Sequence, residues 1–98
     1  MAHKIIWSPL AQQKRKHILT YWNERNANSS FSRKLNSLFV EATNQLSKFP
    51  YIGRASDIEG VRVKIVRDYL LFYEVKGSVI QILTVWDNRQ DPDELKIR

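Results

Sequence analysis

Five cationic side chains in the second half of the sequence are the residues best suited to chemistry on an anionic partner: Arg54, Arg62, Lys64, Arg67 and Arg89. Arg67 ends the first strand predicted in this region and Arg89 follows the third. In an antiparallel meander both would lie at one rim of the sheet, with Lys64 one pleat away. Such a cluster could hold phosphates through bidentate, charge-assisted hydrogen bonds. All five are therefore candidate target contacts.

The same cations also have a purely structural interpretation. Arg62 and Lys64 alternate with apolar residues along a half-buried strand, where charge could serve only to solvate the exposed face and suppress edge aggregation. Both interpretations stay open for these two residues, whereas a functional role is favoured for Arg89 because it lies in a turn. Three nearby aromatic residues could stack on bases: Tyr69, Tyr73 and Trp86. Core packing is the expected role of the last two.

Other chemistries find little support in the sequence. There is no cysteine, so thiolate catalysis, disulfides and cysteine metal sites are excluded. The two histidines, His3 and His17, lie in the first seventeen residues without a nucleophile motif or spaced carboxylates. Both are expected at the surface. The sequence predicts no cofactor and no metal site.

Length and charge place further bounds on the protein. At 98 residues, the chain is expected to form one domain over residues 1–98, with a single core between two layers. Its net charge of +6 favours an anionic partner. No apolar run has the length of a signal peptide or a membrane span. A soluble, cytoplasmic protein that does not engage a membrane is expected.

Two helices are predicted in the first half of the chain. An apolar run over residues 3–7 ends at Ser8-Pro9, the pattern of a strand followed by an N-cap and a first helical residue. The first helix then shows helical spacing at Leu10, Lys14, Ile18, Tyr21 and Trp22. After a polar turn over residues 23–30, the second helix carries an apolar stripe until Pro50 stops it: Phe31, Leu35, Leu38, Phe39, Ala42, Leu46 and Phe49.

Three strands are predicted after the loop over residues 51–60. Val61, Val63 and Ile65 alternate with cations, which indicates one buried face. Residues 69–75 and 79–86 are apolar on both faces, as is typical of central strands. Arg67-Asp68 and Lys76-Gly77 mark the turns, and residues 93–98 could add a helical turn. The order β-α-α-β-β-β predicts an α+β fold, with a helical hairpin packed on a small, mainly antiparallel sheet.

Four stretches, in this order, resemble the RelE/ParE superfamily of bacterial toxin–antitoxin toxins. They are the strand-to-helix junction IIWSPLAQ, the loop FPYIGR at 49–54, the central strand YLLFYEV at 69–75, and the corner VWDNRQDPDEL at 85–95. The resemblance spans nearly the whole chain. It implies a RelE/ParE-like fold and a small basic toxin, linked to growth inhibition and plasmid stabilisation. It also implies an antitoxin protein that neutralises the toxin and through which operator DNA is contacted.

The resemblance implies one of two bacterial targets. In the RelE branch, the toxin enters the ribosome and cuts mRNA without a metal. The 2′-hydroxyl of the RNA attacks the adjacent phosphate, so the protein supplies acid–base groups and cations. In the ParE branch the target is DNA gyrase, and no catalytic residue set is established.

Three features depart from the ribonuclease pattern. Those enzymes usually carry an arginine directly after the first tyrosine of the central strand, where this chain has Leu70. Asp87 stands where several of them have a histidine, and the tail lacks their catalytic tyrosine. Single groups of this kind are commonly worth about 10²–10³-fold in rate. The departures favour the ParE branch.

The leading hypothesis is therefore a ParE-like toxin that inhibits growth by binding a macromolecular target, DNA gyrase, and is silenced by an antitoxin. One alternative is a ribosome-dependent mRNA endoribonuclease that uses Lys64, Arg67 and Arg89. The other is a non-toxic remnant that binds only its antitoxin.

Overall fold

The computed structural model describes residues 2–97, which form a five-stranded sheet with two long helices on one face. The strands are β1 (Lys4–Trp7), β2 (Arg54–Ala55), β3 (Arg62–Val66), β4 (Tyr69–Lys76) and β5 (Val79–Asp87). The helices are α1 (Pro9–Asn26) and α2 (Ser30–Lys48), and a 3₁₀ turn, Pro92–Glu94, follows β5. The predicted α+β class and element order are confirmed, with the two-residue β2 as an addition.

The sheet has the strand order β1-β5-β4-β3-β2. β1 pairs in parallel with β5, and the other neighbours are antiparallel. Because β3 and β5 both run antiparallel to β4, they finish at the same end of the sheet, where Tyr69 pairs with both Val66 and Asp87. We call this end the rim. The backbone N–H of Asn88 closes it by donating to the Asp68 carbonyl at 2.8 Å.

The junction between β1 and α1 forms as the Ser8-Pro9 pattern predicts. Ser8 Oγ accepts a hydrogen bond from the Ala11 N–H at 3.1 Å, and Pro9 is the first helical residue. The same hydroxyl donates to the Leu83 carbonyl at 2.8 Å. The cap therefore also fixes the start of α1 over β5.

The connection between the helices is shorter than predicted. α1 continues to Asn26 and ends at Ala27, which takes the left-handed conformation with φ of 54°. The polar residues that suggested a turn from residue 23 form the last turn of α1 instead, since Glu24 and Arg25 are good helix formers. The Asn23 side chain also accepts a hydrogen bond from the Ser32 hydroxyl of α2. The Asn28 side chain then accepts a hydrogen bond from the Ser30 N–H at 3.0 Å.

Two apolar clusters lie on opposite faces of the sheet. The larger lies under the helices and contains Phe39, Leu46 and the fully buried Tyr73, among others. The smaller cluster, which we call the second core, comprises Val61, Val63, Phe72, Leu83 and Trp86. Leu70, Leu95 and Ile97 pack against it. β4 is thus covered on both faces, as its sequence predicts.

Four details differ from the predictions. Phe49 lies one residue beyond α2 and is 61% exposed, so it does not belong to the apolar stripe. Ile65 is 52% exposed, so the buried face predicted for this strand does not extend to it. The β4–β5 turn is at Gly77-Ser78, since β4 extends to Lys76. After the 3₁₀ turn the tail is irregular, and Arg98 lies outside the described residues.

Candidate functional site

A cleft of about 510 Å³ opens at the rim of the sheet between α1 and the end of β5. This volume lies in the range of ligand pockets. We call it the rim cleft and define it by its lining: Lys14, His17, Ile18, Tyr21, Tyr69, Val85, Trp86, Asp87, Arg89 and Gln90. An occupant would meet apolar and aromatic surface together with several hydrogen-bond donors.

α1 supplies four of these residues because they share one stripe of the helix. Lys14, His17, Ile18 and Tyr21 follow the spacing i, i+3, i+4, i+7, which places them on one side. Since the Ser8 cap holds the start of the helix on β5, this side faces the end of that strand. One helix therefore presents an ammonium, an imidazole and a phenol to the cleft.

Lys14 carries the uncompensated positive charge of the rim cleft. Its Nζ lies 6.0 Å from the centroid of the Trp86 ring, a long cation–π contact. Lys14 is in neither of the two ion pairs recorded within residues 2–97, which are Lys76–Glu74 and Arg89–Asp87. Its charge is thus available to an anionic ligand.

Tyr69 contributes a hydroxyl that accepts a hydrogen bond within the protein and can still donate one. The side chain is 5% exposed, and its oxygen accepts a hydrogen bond from Trp22 Nε1 at 2.8 Å. Burial raises the pKa of the phenol, so it keeps its proton at neutral pH. That proton has no recorded acceptor among residues 2–97, which leaves one buried donor at the cleft.

Arg89 is oriented by a clamp with Asp87. Its Nε and Nη2 donate to the two carboxylate oxygens at 3.0 and 2.8 Å, and its backbone N–H donates to Oδ1 at 2.9 Å. These hydrogen bonds hold the pKa of Asp87 below its usual range, and the carboxylate raises the pKa of Arg89. The pair is neutral overall, so it fixes geometry at the rim without adding net charge.

The positive charge of the protein is concentrated in its helical half. Residues 1–48 contain eight Lys and Arg against two Asp and Glu, whereas residues 49–98 contain eight of each. The net charge of +6 therefore comes entirely from the first half. The five strands themselves carry five Lys and Arg against two Asp and Glu, so the sheet is basic, as the sequence suggested. Most of the acidic residues that neutralise residues 49–98 lie in turns, loops and the tail.

Comparison with protein families supplies the identity that geometry alone does not. A family model described as "ParE toxin of type II toxin-antitoxin system, parDE" matches residues 5–92. The chain belongs to this ParE toxin family. The match includes every residue of the rim cleft. Membership of a toxin–antitoxin family implies a cognate antitoxin as partner. No curated protein matches the sequence at a significant level.

A solved structure supports the fold of this ParE-family chain. The chain is similar to one from the "Chromosomal ParDE TA system from P. aeruginosa", with a TM-score of 0.74 and 23% sequence identity. The match covers 86% of this chain and 94% of the other. At this identity the likeness establishes a shared fold.

Lys64 and Arg67 lie at the rim but outside the rim cleft. They line a separate depression of about 220 Å³ beside α2, together with Glu41 and Gln45. Arg67 takes φ of 54° in the tight β3–β4 turn. The structure thus brings Lys64 and Arg67 together and places Arg89 with residues of α1.

Arg62 is committed to an internal contact. Its guanidinium donates to the Gly53 carbonyl through Nε at 3.0 Å and Nη2 at 2.6 Å, and Nη2 also reaches the Tyr51 carbonyl at 3.0 Å. Its Cζ lies 5.6 Å from the Tyr51 ring. Arg54 is exposed and lines a depression on the open face of the sheet with Phe72 and Trp86. Neither arginine reaches the rim cleft.

Sequence reasoning missed the contribution of α1 to this site. From the sequence, Lys14 and Tyr21 stand out only for their helical spacing, and His17 is expected at the surface. The signal was present, because these residues flank Ile18 at helical spacing. This spacing identifies site residues only once it is known that this side of α1 faces the end of β5.

The described part of the chain contains no cluster of side chains that could bind a metal ion. Within residues 2–97, no group of three or more His, Asp or Glu side chains is arranged to hold one. The same residues contain no helix with the length and apolar character that a membrane crossing requires.

Proposed function

We propose that this ParE-family protein inhibits growth by binding DNA gyrase, and that its cognate antitoxin neutralises it. The observation that carries the proposal is the family match over residues 5–92, which includes the whole rim cleft. In this proposal residues 1–98 act as one toxin domain, and binding rather than cleavage of a substrate produces the effect.

The positions that depart from the ribonuclease pattern support a non-cleaving toxin. Leu70 packs against the second core, so an apolar contact occupies the position of an expected arginine. Asp87 is fixed by Arg89 and stays ionised at neutral pH. Leu95 and Ile97 of the tail also pack on the second core. All three positions serve packing or clamping rather than acid–base chemistry.

The rim cleft is the proposed target contact. Lys14, the Tyr69 hydroxyl and the Arg89 guanidinium are donors around an apolar floor. Such a site fits an acidic side chain next to an apolar one on the surface of a protein, because charge and apolar area are then buried together. Arg89 is the predicted target contact that the cleft retains.

Neutralisation would exploit the charge of the helical half. An acidic antitoxin segment would be attracted to residues 1–48, which carry the whole net charge, and would order on binding. Contact with operator DNA would be made by the antitoxin in such a complex.

The test is pulse labelling of DNA and protein synthesis within minutes of inducing the toxin alone, combined with supercoiling by purified gyrase. DNA synthesis should fall first and supercoiling should be inhibited. Lys14→Ala and Arg89→Ala should each weaken inhibition about tenfold, the scale of one charge-assisted contact. Lys16→Ala is the matched control on the same helix, outside the cleft. Unchanged inhibition by both cleft variants would remove the cleft from the mechanism.

A second candidate function is metal-independent RNA cleavage, because the cleft places His17, a protonated Tyr69 and the Lys14 ammonium together. These are the groups that transesterification by a 2′-hydroxyl requires. An early fall in protein synthesis, with mRNA cleavage on ribosomes that disappears in His17→Ala, would establish this candidate in place of gyrase binding.

A further inference from the structure

The loop after α2 exposes three large apolar side chains within four residues. Phe49 is 61%, Tyr51 is 66% and Ile52 is 48% exposed. Tyr51 also forms one wall of a depression of about 310 Å³, whose apolar lining includes Ile58 and Val75. Exposed apolar surface of this density, with a pocket beside it, is typical of a protein docking site.

This loop is held rigidly although its side chains are exposed. The Tyr73 hydroxyl donates to the Pro50 carbonyl at 2.8 Å and accepts from the Gly53 N–H at 3.1 Å. Arg62 ties the Gly53 and Tyr51 carbonyls from the other side. We call residues 49–53 the pinned loop. Because its backbone is already ordered, a partner that binds it would not bear the entropic cost of ordering it.

The charges beside the pinned loop indicate the partner. Residues 42–56 contain Lys48 and Arg54, both exposed, and no Asp or Glu. The neighbouring depression carries one carboxylate, Glu59, beside the Arg62 guanidinium. A second copy of this chain would bring like charges together at a net charge of +6 each. An acidic amphipathic segment would instead match both the cations and the apolar side chains.

We infer that the pinned loop is the anchor for an acidic, amphipathic segment of the cognate antitoxin. The apolar residues of that segment cover Phe49 and Ile52 and enter the depression beside Tyr51, and its carboxylates face Lys48 and Arg54. The inference rests on the proposed function only for the identity of the partner. It adds a second surface, separate from the rim cleft.

The two surfaces lie at opposite ends of the sheet. The pinned loop is beside the start of β3, where Gly53 approaches the Val63 carbonyl, and the rim cleft is at the end of β5. β3 and β5 run in the same direction, since both are antiparallel to β4. Loss of antitoxin binding and loss of target binding can therefore be separated by mutation.

The experiment compares two double variants, each of which replaces two exposed apolar side chains with serine. Phe49→Ser/Ile52→Ser alters the pinned loop and leaves Tyr51 and Arg62 in place. Val40→Ser/Ile65→Ser is the matched control, with side chains 42% and 52% exposed elsewhere. Each is titrated with the cognate antitoxin expressed from the same toxin–antitoxin locus, its growth inhibition is measured with and without that antitoxin, and its thermal unfolding is recorded.

The loop variant should lose at least tenfold in antitoxin affinity, still unfold cooperatively, and remain toxic when the antitoxin is present. The control should bind within twofold of the wild type. Equal losses in both variants, or wild-type binding by the loop variant, would overturn the inference. So would a loop variant that keeps antitoxin binding but loses toxicity, because the loop would then contact the target. If neither the wild type nor any variant inhibits growth, the proposed function is wrong. The antitoxin titration would still decide whether the pinned loop binds the antitoxin.

Discussion

The two ends of the sheet use their polar and apolar groups in opposite ways. At the pinned loop, the polar atoms of Tyr73, Arg62 and Gly53 satisfy one another, and the apolar side chains are left in solvent. At the rim cleft, Val85 and Trp86 are buried and Lys14 lies 6.0 Å from the Trp86 ring. Within residues 2–97, Lys14 is in neither recorded ion pair and the Tyr69 proton has no recorded acceptor. One end is therefore suited to apolar docking and the other to an anion.

This difference shows that the same pair of residue types, a tyrosine and an arginine, can have different roles at two places in one chain. Both ends contain a tyrosine hydroxyl and an arginine. The hydroxyl of Tyr73 both donates and accepts, which stiffens the loop, whereas that of Tyr69 only accepts. The arginine of the loop is bound to carbonyls and that of the rim to a carboxylate. Polar satisfaction, rather than residue type, separates the end that presents apolar side chains from the end that presents hydrogen-bond donors.

The largest effect should come from filling the space at Gly53. A Cβ there would lie 2.6 Å from Tyr73 Oη and 2.7 Å from the Val63 carbonyl oxygen, so Gly53→Ala must displace backbone or break the network. We expect a loss of about 3 kcal/mol in unfolding free energy. For a domain of this size each kcal/mol lowers Tm by about 4–8 °C, which calorimetry would resolve.

Gly60→Ala is the matched control for that substitution. Gly60 has φ of 80° and no neighbour within 4 Å of an added Cβ, so only backbone strain of about 1 kcal/mol is expected. Equal destabilisation by the two variants would show that the loop is not tightly packed and would remove the contrast between the ends.

An intermediate effect should come from removing each tyrosine hydroxyl. Tyr73→Phe leaves the buried Gly53 N–H and the Pro50 carbonyl without this partner, which we expect to cost about 2 kcal/mol. Tyr69→Phe removes one acceptor from a half-buried Trp22 that water can replace, at about 1 kcal/mol or less. Urea unfolding measures both.

The two tyrosine variants also separate stability from activity. We expect Tyr69→Phe to weaken growth inhibition, because it removes a donor from the cleft, while Tyr73→Phe at a permissive temperature retains it. If Tyr69→Phe were the less stable variant and Tyr73→Phe the less toxic one, Tyr73 rather than Tyr69 would contact the target.

The smallest effect should be the pH dependence of the Asp87–Arg89 clamp. The pKa of Asp87 is lowered in the folded protein by its hydrogen bonds to Arg89. Its stabilising contribution is therefore complete above the unfolded value, near 4, and is lost as pH falls through the folded value. Carboxyl NMR titration should show the Asp87 pKa rising toward its ordinary value in Arg89→Gln. A midpoint that does not move would mean that the clamp is open in solution.

Much of the fold could be predicted because its signals are local. The Ser8-Pro9 cap, the stripe of α2, its stop at Pro50 and the Arg67-Asp68 turn depend on neighbours in sequence, and the structure confirms each of them. The errors lie at the C-terminal ends of the two helices. α1 continues to Asn26 through polar residues, and Phe49 leaves the stripe because the chain turns away after Lys48.

The candidate site was only partly predictable, because cation spacing cannot reveal which cations are occupied. Arg62 and Arg89 looked alike in sequence, yet one holds two carbonyls of a loop and the other is clamped by a carboxylate. Lys14, which retains an unpaired charge, lies more than fifty residues from the strands that complete its site.

The sequence by itself determined the α+β class, the element order and the likeness to the ParE toxin family, since these follow from periodicity, turn residues and short ordered motifs. Only the tertiary structure decided which side of α1 faces the end of β5 and which polar groups remain unpaired. The physical reason is that hydrogen-bond satisfaction and burial depend on long-range approach. Ser8 meets Leu83, Tyr69 meets Trp22 and Gly53 meets Tyr73 across at least twenty residues of chain.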